Sequence, residues 1–225
     1  MTYQVVFCGS DGAVIASDRL EGQFRPDGTI ARGNDITKLK VSGEFAWAFS
    51  GGVLATMFAE HLSEIAKDMR NLVDEQLVEL FDEHRLSVFT QWGQSGPDST
   101  SRVLFVRGTN RSVFKINPVP HTAIERLGNN RGLAGQLTNT ASFVFHRIHS
   151  PEMSVKALLP LAAYSVRAAN FFDSAAIDGL DMAVYQEPES SFRFIDAKPY
   201  LDCAGSIEGE IRRVLEKFSF DNQSS

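Results

Sequence analysis

The sequence of 225 residues has few basic residues and no long apolar segment. Its 22 Lys and Arg residues are outnumbered by 28 Asp and Glu residues, which gives a formal net charge of −6. Nucleic-acid binding needs clustered basic side chains, so we expect no nucleic-acid partner. The longest apolar stretches, such as residues 157–166, fall far short of the roughly 20 residues that cross a bilayer, so we expect no membrane segment.

Cysteine is also scarce, because the chain contains only Cys8 and Cys203. Two thiols in a chain of this length fit a reducing compartment, where free thiols serve as small core residues. The first residues lack a basic segment followed by an apolar run, and Asp11 and Asp18 come early, so no secretory signal is predicted. We therefore expect a cytoplasmic protein.

The remaining composition, with 43% hydrophobic and 22% charged residues, is that of an ordinary globular domain. Strand-like and helical segments follow the order strands, two helices, strands, two helices, strands. Because each sheet needs a covering layer and these layers are interleaved along the chain, we predict an α+β fold. Its form is a four-layer α/β/β/α sandwich of two antiparallel sheets. We predict one domain over residues 1–220 and a disordered tail over residues 221–225.

Periodicity and turn signals place the individual elements. An opening hairpin is predicted on residues 3–8 and 13–17, a loop or irregular hairpin on residues 20–35, and helices on residues 53–69, 74–88, 133–148, 153–172 and 207–218. The first two helices carry more apolar residues than one sheet face can cover. Part of their surface is expected to lie between subunits, namely the part formed by Met57, Phe58, Phe81 and Phe89.

Thr2 follows a methionine, and threonine is small enough for an initiator methionine to be removed before it. Removal leaves a free α-amine beside a hydroxyl group. The pKa of an α-amine is about 7.7–8.0, so a useful fraction is unprotonated at neutral pH and can take the hydroxyl proton. Most Met-Thr starts are only processed termini, so the surrounding residues decide whether Thr2 has a chemical role.

Three other residues could lie beside Thr2 and support its chemistry. Asp18 closes the second strand, and the antiparallel return brings it within a few residues of Thr2. Lys38 could place a positive charge beside the threonine, and Lys40 competes for this role because alternation points both lysines the same way. Gly51 lies in a strand-to-helix turn, where backbone N–H groups can stabilise an oxyanion. In isolation, each of these residues is more often a surface or turn residue.

The segments that carry these residues resemble, in order, β-type subunits of the proteasome and HslV superfamily of N-terminal-nucleophile hydrolases. The likeness lies in "DGAVIASDR" around Asp18, "ITKLKV" around Lys38, "AFSGG" before the first helix, and "FDSAAIDGLDMAVY" at residues 172–185. The Met-Thr start and the long C-terminal portion resemble most the bacterial homologues of the Anbu and BPH type.

The resemblance implies a threonine-type peptidase that acts on peptides or unfolded proteins inside a homo-oligomeric ring or double ring. It implies Thr2 as the nucleophile, Asp18 and Lys38 as its supporting pair, Gly51 as the oxyanion donor, and Asp173 as the residue that orients the threonine amine. It implies no cofactor and no metal, and it leaves open whether an ATPase partner exists.

Departures from the family pattern leave other functions open. A serine that often follows the family's aspartate is replaced by Ala176, and a Gly-Ser-Gly stretch is replaced by Gly128-Asn129-Asn130. The interval between Asp18 and Lys38 is also a few residues longer than usual. Since a fold does not determine an activity, we keep two alternatives of the same fold, a non-catalytic scaffold subunit and a small-amide hydrolase.

Overall fold

A computed structural model describes residues 2–24, 30–92, 101–128, 130–135, 147–172 and 179–221. The strands are β1 Tyr3–Cys8, β2 Gly12–Ser17, β3 Leu20–Phe24, β4 Ile30–Asp35, β5 Leu39–Ser42, β6 Phe45–Ser50, β7 Arg102–Arg107, β8 Ser112–Ile116, β9 Glu125–Leu127, β10 Arg131–Gly135, β11 Asp181–Gln186 and β12 Arg193–Ile195. The helices are α1 Val53–Ile65, α2 Asp74–Trp92, α3 Val155–Phe172 and α4 Lys198–Asp221. None of these helices is both long and apolar enough to span a membrane.

Ten of the strands form two antiparallel sheets of five strands each. The first sheet has the order β10-β1-β2-β11-β12, and the second has the order β5-β6-β7-β8-β9. The remaining strands, β3 and β4, pair with each other in a separate ribbon that contains a register shift between Leu20 and Gly22. The irregular hairpin predicted for residues 20–35 is therefore confirmed.

Strand alternation sends successive side chains of β1 into two different apolar layers. Val5 and Phe7 pack against α3, where Leu158 lies fully buried. Val6 and Cys8 point the other way, into the space between the two sheets. The first sheet is therefore covered by α3 on one face and by the second sheet on the other.

The second sheet shows the same alternation. Trp47 and Phe105 pack against α1 and α2, whereas Ala48 and Leu104 face the first sheet. The order of layers is thus helices, sheet, sheet, helices, which confirms the predicted four-layer α+β sandwich.

The apolar residues expected between subunits belong mostly to the core of a single chain. Phe58 and Phe81 are fully buried against the second sheet, and Met57 and Phe89 are partly buried against the same core. The expectation that Phe58 and Phe81 lie between subunits is therefore wrong, because α1, α2 and one sheet face cover them, whereas the expectation for Met57 and Phe89 stays a prediction. The large apolar residues that stay exposed in this region are Val53, Val73, Leu86 and Trp92.

Two predicted helices differ from the structure. The helix predicted on residues 133–148 is wrong at its start, because Arg131–Gly135 is strand β10 and pairs with β1, while residues 136–146 lie outside the described residues. Such a short apolar run has no distinct period of its own. The final helix is longer than predicted, since packing of α4 on α3 overrides the low helix propensity of Gly205 and Gly209. Residues 222–225 of the predicted tail lie outside the described residues.

Candidate active site

The antiparallel pairing of β1 and β2 brings Thr2 and Asp18 to the same end of the first sheet. Gln4 pairs with Ser17, so the next pair outward is Tyr3 and Asp18. The Tyr3 N–H donates to Asp18 Oδ1 at 2.8 Å, and the Asp18 N–H donates to the Tyr3 carbonyl oxygen at 3.2 Å. The Asp18 carboxylate is therefore fixed one residue away from Thr2.

Lys38 connects the hydroxyl group of Thr2 to the carboxylate of Asp18. Its Nζ lies 2.9 Å from Thr2 Oγ1 and 2.9 Å from Asp18 Oδ2. The side chains of Lys38 and Asp18 are only 4% and 0% exposed. A buried ammonium group that donates to a hydroxyl oxygen stabilises negative charge developing on that oxygen.

The Asp18 carboxyl is under opposing influences. Burial raises its pKa above the ordinary value of 3.8, whereas the Lys38 ammonium group and the Tyr3 N–H favour the ionised form and oppose the rise. Removal of two charges from water is costly unless they are paired and hydrogen-bonded. The contacts among these three residues meet that requirement.

Lys40 does not reach Thr2, so the two lysines are not interchangeable. Its Nζ lies 2.6 Å from Glu60 Oε2 on α1. Lys38 lies just before β5, which begins at Leu39, so regular strand alternation does not extend to it. The expectation that Lys38 and Lys40 point the same way is therefore wrong.

Gly51 lies in an exposed turn between β6 and α1. Its φ of +101° favours glycine, and a Cβ atom there would lie 2.6 Å from both the Cα and the Oγ of Ser101. The Gly52 N–H, at the N-cap of α1, donates to Ser101 Oγ at 3.3 Å. Because the first N–H groups of a helix lack partners within the helix, such a turn can offer donors to an oxyanion.

The remaining predicted residues are not brought to Thr2 by the described part of the chain. Asp173, Ala176 and Asn129 lie outside the described residues. The carbonyl oxygen of Asn130 accepts a hydrogen bond from Cys8 N–H at 2.8 Å, at the opposite end of β1 from Thr2. Six residues of strand span about 20 Å.

The assignment of residues 128–130 as the counterpart of the family's serine stretch is therefore wrong. The antiparallel register pairs Gly135 with Tyr3, so β10 approaches Thr2 at its last residue and not at its start. The residues that follow Gly135 directly lie outside the described residues.

Two residues near the site were missed by the sequence analysis. Ser101 is distant in sequence from Gly51, and only the pairing of β6 with β7 brings the two together. Asp181 begins β11, and its Oδ1 lies 3.7 Å from Arg19 Nε. Asp181 lies within the motif at residues 172–185, so the resemblance of that motif was a signal that could have identified it. Within the described ranges, no cluster of three or more His, Cys, Asp or Glu residues could hold a metal ion.

Comparison with known proteins gives structural matches only. No family model and no curated protein matches the sequence. Anbu from Yersinia bercovieri matches with a TM-score of 0.73 and 17% identity, over 96% of this chain and 97% of that chain. The Pseudomonas aeruginosa Anbu complex, solved as a helical assembly, matches with a TM-score of 0.73 and 16% identity, over 96% of each chain.

A Gly-1 mutant of Anbu from Hyphomicrobium sp. strain MC1 matches with a TM-score of 0.72 and 15% identity, over 96% of this chain and 97% of that chain. At these identities, the matches establish the fold and not the activity. The chain therefore has the proteasome-like N-terminal-nucleophile hydrolase fold of the Anbu proteins, as the sequence resemblance predicted.

Proposed function

We propose that the chain is a subunit of a homo-oligomeric threonine-type peptidase that hydrolyses peptide bonds through Thr2. The proposal rests on the position of Lys38 Nζ, at 2.9 Å from both Thr2 Oγ1 and Asp18 Oδ2. A buried ammonium group costs several kcal/mol unless it is paired, so this placement is unlike that of an ordinary surface lysine. A cation that contacts a hydroxyl oxygen suits activation of that oxygen as a nucleophile.

In the proposed reaction, the free α-amine of Thr2 takes the proton from Oγ1, which attacks the carbonyl carbon of the scissile peptide bond. Lys38 stabilises the charge on Oγ1, and the Gly51 N–H donates to the oxyanion that forms. The peptide C–N bond then breaks, and the leaving amine takes the proton from the α-ammonium group. The product of this step is an ester between the substrate acyl group and Thr2.

Hydrolysis of the ester completes the proposed cycle. A water molecule gives a proton to the α-amine and attacks the ester carbon, and the returned proton restores the Thr2 hydroxyl as the acid leaves. By family resemblance, Asp173 orients the α-amine in both halves of the reaction. Asp18 pairs with Lys38 Nζ and holds it beside Thr2.

Self-association is part of the proposal, because exposed peptidase sites would endanger other proteins in the cytoplasm, where we expect the chain to act. A closed ring encloses such sites, and the family resemblance implies one. The Pseudomonas aeruginosa Anbu complex is instead a helical assembly, so an open helix of subunits is the second form to test.

Of the two replacements that favour the alternative of a scaffold subunit, the one at residues 128–130 does not lie beside Thr2. The replaced stretch at residues 128–130 ends at Asn130, which binds Cys8 at the far end of β1 from Thr2. A change at that distance does not remove a hydroxyl group from the site. Ala176 is the replacement that still favours a scaffold.

Intact mass spectrometry tests the proposal. The purified protein is measured before and after incubation with a peptide vinyl sulfone, which is attacked irreversibly by terminal threonine. We expect a mature chain that begins at Thr2 and carries one adduct, located at Thr2. A chain that retains residues before Thr2 and forms no adduct would favour the scaffold. Cleavage of an unfolded protein, compared with cleavage of short amides, separates the peptidase from the small-amide hydrolase.

A further inference from the structure

One carboxylate contacts the chain neighbours of both Asp18 and Lys38. Arg19 follows Asp18, and its Nε lies 3.7 Å from Asp181 Oδ1. Thr37 precedes Lys38, and its hydroxyl group lies near enough to Asp181 to lower the pKa of that carboxyl. Asp181 itself belongs to neither segment, since it is the first residue of β11.

The backbone around Asp181 fixes the position of this residue, and its Oδ2 atom is buried without a hydrogen-bond partner among the described residues. Asp181 pairs with Ser17 in the ladder between β11 and β2, so it lies directly beside the end of β2. The side chain of Arg19 runs against Gly179, where a Cβ atom would lie 2.9 Å from Arg19 Cβ. The Ile36 N–H donates to the Arg19 carbonyl oxygen at 2.7 Å, which joins the two segments at the same point.

The β3–β4 ribbon explains why the contacts of Asp181 with these two segments matter. The ribbon is inserted between Asp18 and Lys38, so these two residues lie on the segments that enter and leave it. Movement at the base of the ribbon would change the spacing of the two side chains. Asp181 contacts both segments at this base.

We propose that Asp181 is a positioning residue for the reaction at Thr2. By contacting Arg19 and Thr37, it holds Asp18 and Lys38 at the spacing at which Lys38 Nζ reaches Thr2 Oγ1. The inference rests on the proposed function for its effect on rate, because a misplacement of about 1 Å in a catalytic group can lower a rate about 100-fold.

The surroundings of Asp181 suit a positioning role better than a role in global stability. Its side chain is 16% exposed, and its ion pair with the half-exposed Arg19 is long. Partly exposed ion pairs of this kind contribute little to the free energy of folding. Burial raises the pKa of Asp181, and Arg19 and the Thr37 hydroxyl group oppose the rise. Burial thus disfavours the charged form of Asp181 at its place beside the Asp18–Lys38 pair.

Asp181→Asn tests the role, with Glu187→Gln as the matched control. Glu187 directly follows the last residue of β11 and pairs with Arg111 at 2.8 Å. The control substitution therefore removes a carboxylate at the far end of β11 and leaves the site untouched. The rate of Thr2 adduct formation with the vinyl sulfone is separated into kinact and KI. We expect kinact of Asp181→Asn to fall about 10-fold to 100-fold while KI stays within about twofold, and Glu187→Gln to match the wild type.

A second measurement does not depend on activity. Brief acetylation with acetic anhydride, read by site-resolved mass spectrometry, reports how accessible each lysine is. We expect Asp181→Asn to raise labelling of Lys38 about fivefold or more, because the buried ammonium group is released, while labelling of Lys40 stays unchanged. If Asp181→Asn does not fold, Thr37→Val replaces it in both measurements with the same expected direction.

The two measurements separate failure of the proposed function from failure of the inference. If the wild type forms no Thr2 adduct, the proposed function fails, and Lys38 labelling alone decides whether Asp181 positions the lysine. If the wild type forms the adduct, the kinact of Asp181→Asn decides whether Asp181 is a positioning residue. A kinact of Asp181→Asn equal to that of Glu187→Gln overturns this role. A lower kinact with an equal rise in KI would assign Asp181 to substrate binding and would also overturn it.

Discussion

The backbone N–H of Phe49 donates to the carbonyl oxygen of Lys38 at 3.0 Å. This bond ties the segment that carries the lysine to the strand that leads into the Gly51 turn. The second sheet thus supplies both the cation and the turn, whereas the first sheet supplies Thr2 and Asp18. The candidate site therefore depends on how the two sheets pack, and its parts can be tested one at a time.

The first prediction separates the two lysines. Lys38→Ala should lower the rate of Thr2 adduct formation at least about 100-fold, because the hydroxyl oxygen loses its cationic partner. Lys40→Ala is the control, since its ion pair with Glu60 is partly exposed and contributes about 1 kcal/mol or less. Loss of the adduct in Lys40→Ala with retention in Lys38→Ala would show that the wrong lysine has been assigned.

The second prediction concerns the stability of the buried pair. Asp18 Oδ1 accepts from the Tyr3 N–H and Oδ2 accepts from Lys38 Nζ, and Asp18→Asn replaces one of these oxygens with an NH2 group that cannot accept, which costs about 1–3 kcal/mol. The double variant Asp18→Asn with Lys38→Met removes both charges and should recover most of that loss in chemical denaturation. Neither variant should form the Thr2 adduct. A single variant as stable as the double variant would contradict the pairing.

The third prediction concerns pH. Because burial raises the pKa of Asp18 above 3.8, this carboxylate takes up a proton at a higher pH than an exposed one. Protonation of the Thr2 α-amine already lowers the adduct rate about tenfold per pH unit below the pKa of that amine. Protonation of Asp18 also removes the charge that holds Lys38, so the fall should become steeper than tenfold per unit at a pH above the usual range for Asp.

The sign for stability is the opposite of the sign for activity. The folded chain binds the Asp18 proton more tightly than the unfolded chain, so this group adds stability as the pH falls through its folded pKa. Inactivation by acid should therefore precede unfolding. Circular dichroism measured at the same pH values checks this order, and coincident transitions would exclude Asp18 as the cause.

Pairing of neighbouring strands explains which parts of the site could be predicted from sequence. The turn after Cys8 determines the register of β1 and β2, and the register brings Asp18 beside Thr2. Such local pairing follows from turn residues and alternation. From the residues alone, Lys38 is one candidate beside Lys40, and family resemblance selects it, because β5 begins after Lys38 and the ribbon intervenes.

Contacts between distant segments could not be predicted in this way. Gly132 and Ala134 lie in β10, whose pairing with β1 joins strands that are more than a hundred residues apart. A short apolar run of this kind fits a helix or a strand equally well, and only the tertiary partner decides. For the same reason, the contact of Ser101 with Gly51 and the contact of Asp181 with Arg19 could not be predicted.

The fourth prediction concerns assembly. The homo-oligomer proposal predicts particles much heavier than one chain of 24.8 kDa in mass photometry. A closed ring gives one discrete mass, whereas a helical assembly gives a range of masses that grows with concentration. A stable monomer at micromolar concentration would contradict an enclosed peptidase.

The fifth prediction is that Gly51→Ala disables the turn. At φ +101°, a side chain costs about 1–3 kcal/mol, and the added Cβ atom would lie 2.6 Å from the Ser101 Cα atom. Trimming Ser101 to glycine removes its Oγ but not its Cα, so Ser101→Gly should not rescue the variant. The displaced turn should lower the Thr2 adduct rate about 100-fold to 1,000-fold, the usual effect of losing one oxyanion donor.

Gly128→Ala is the control for Gly51→Ala, because a Cβ atom at Gly128 has no neighbouring atom within 4 Å. It should match the wild type in both thermal denaturation and adduct rate. If Gly51→Ala loses stability but keeps the wild-type adduct rate, the turn is only structural and the oxyanion is held elsewhere. If the adduct rate falls and the loss of stability stays near 1–3 kcal/mol, the turn acts in the reaction, because the molecules that remain folded are then the ones that fail to react.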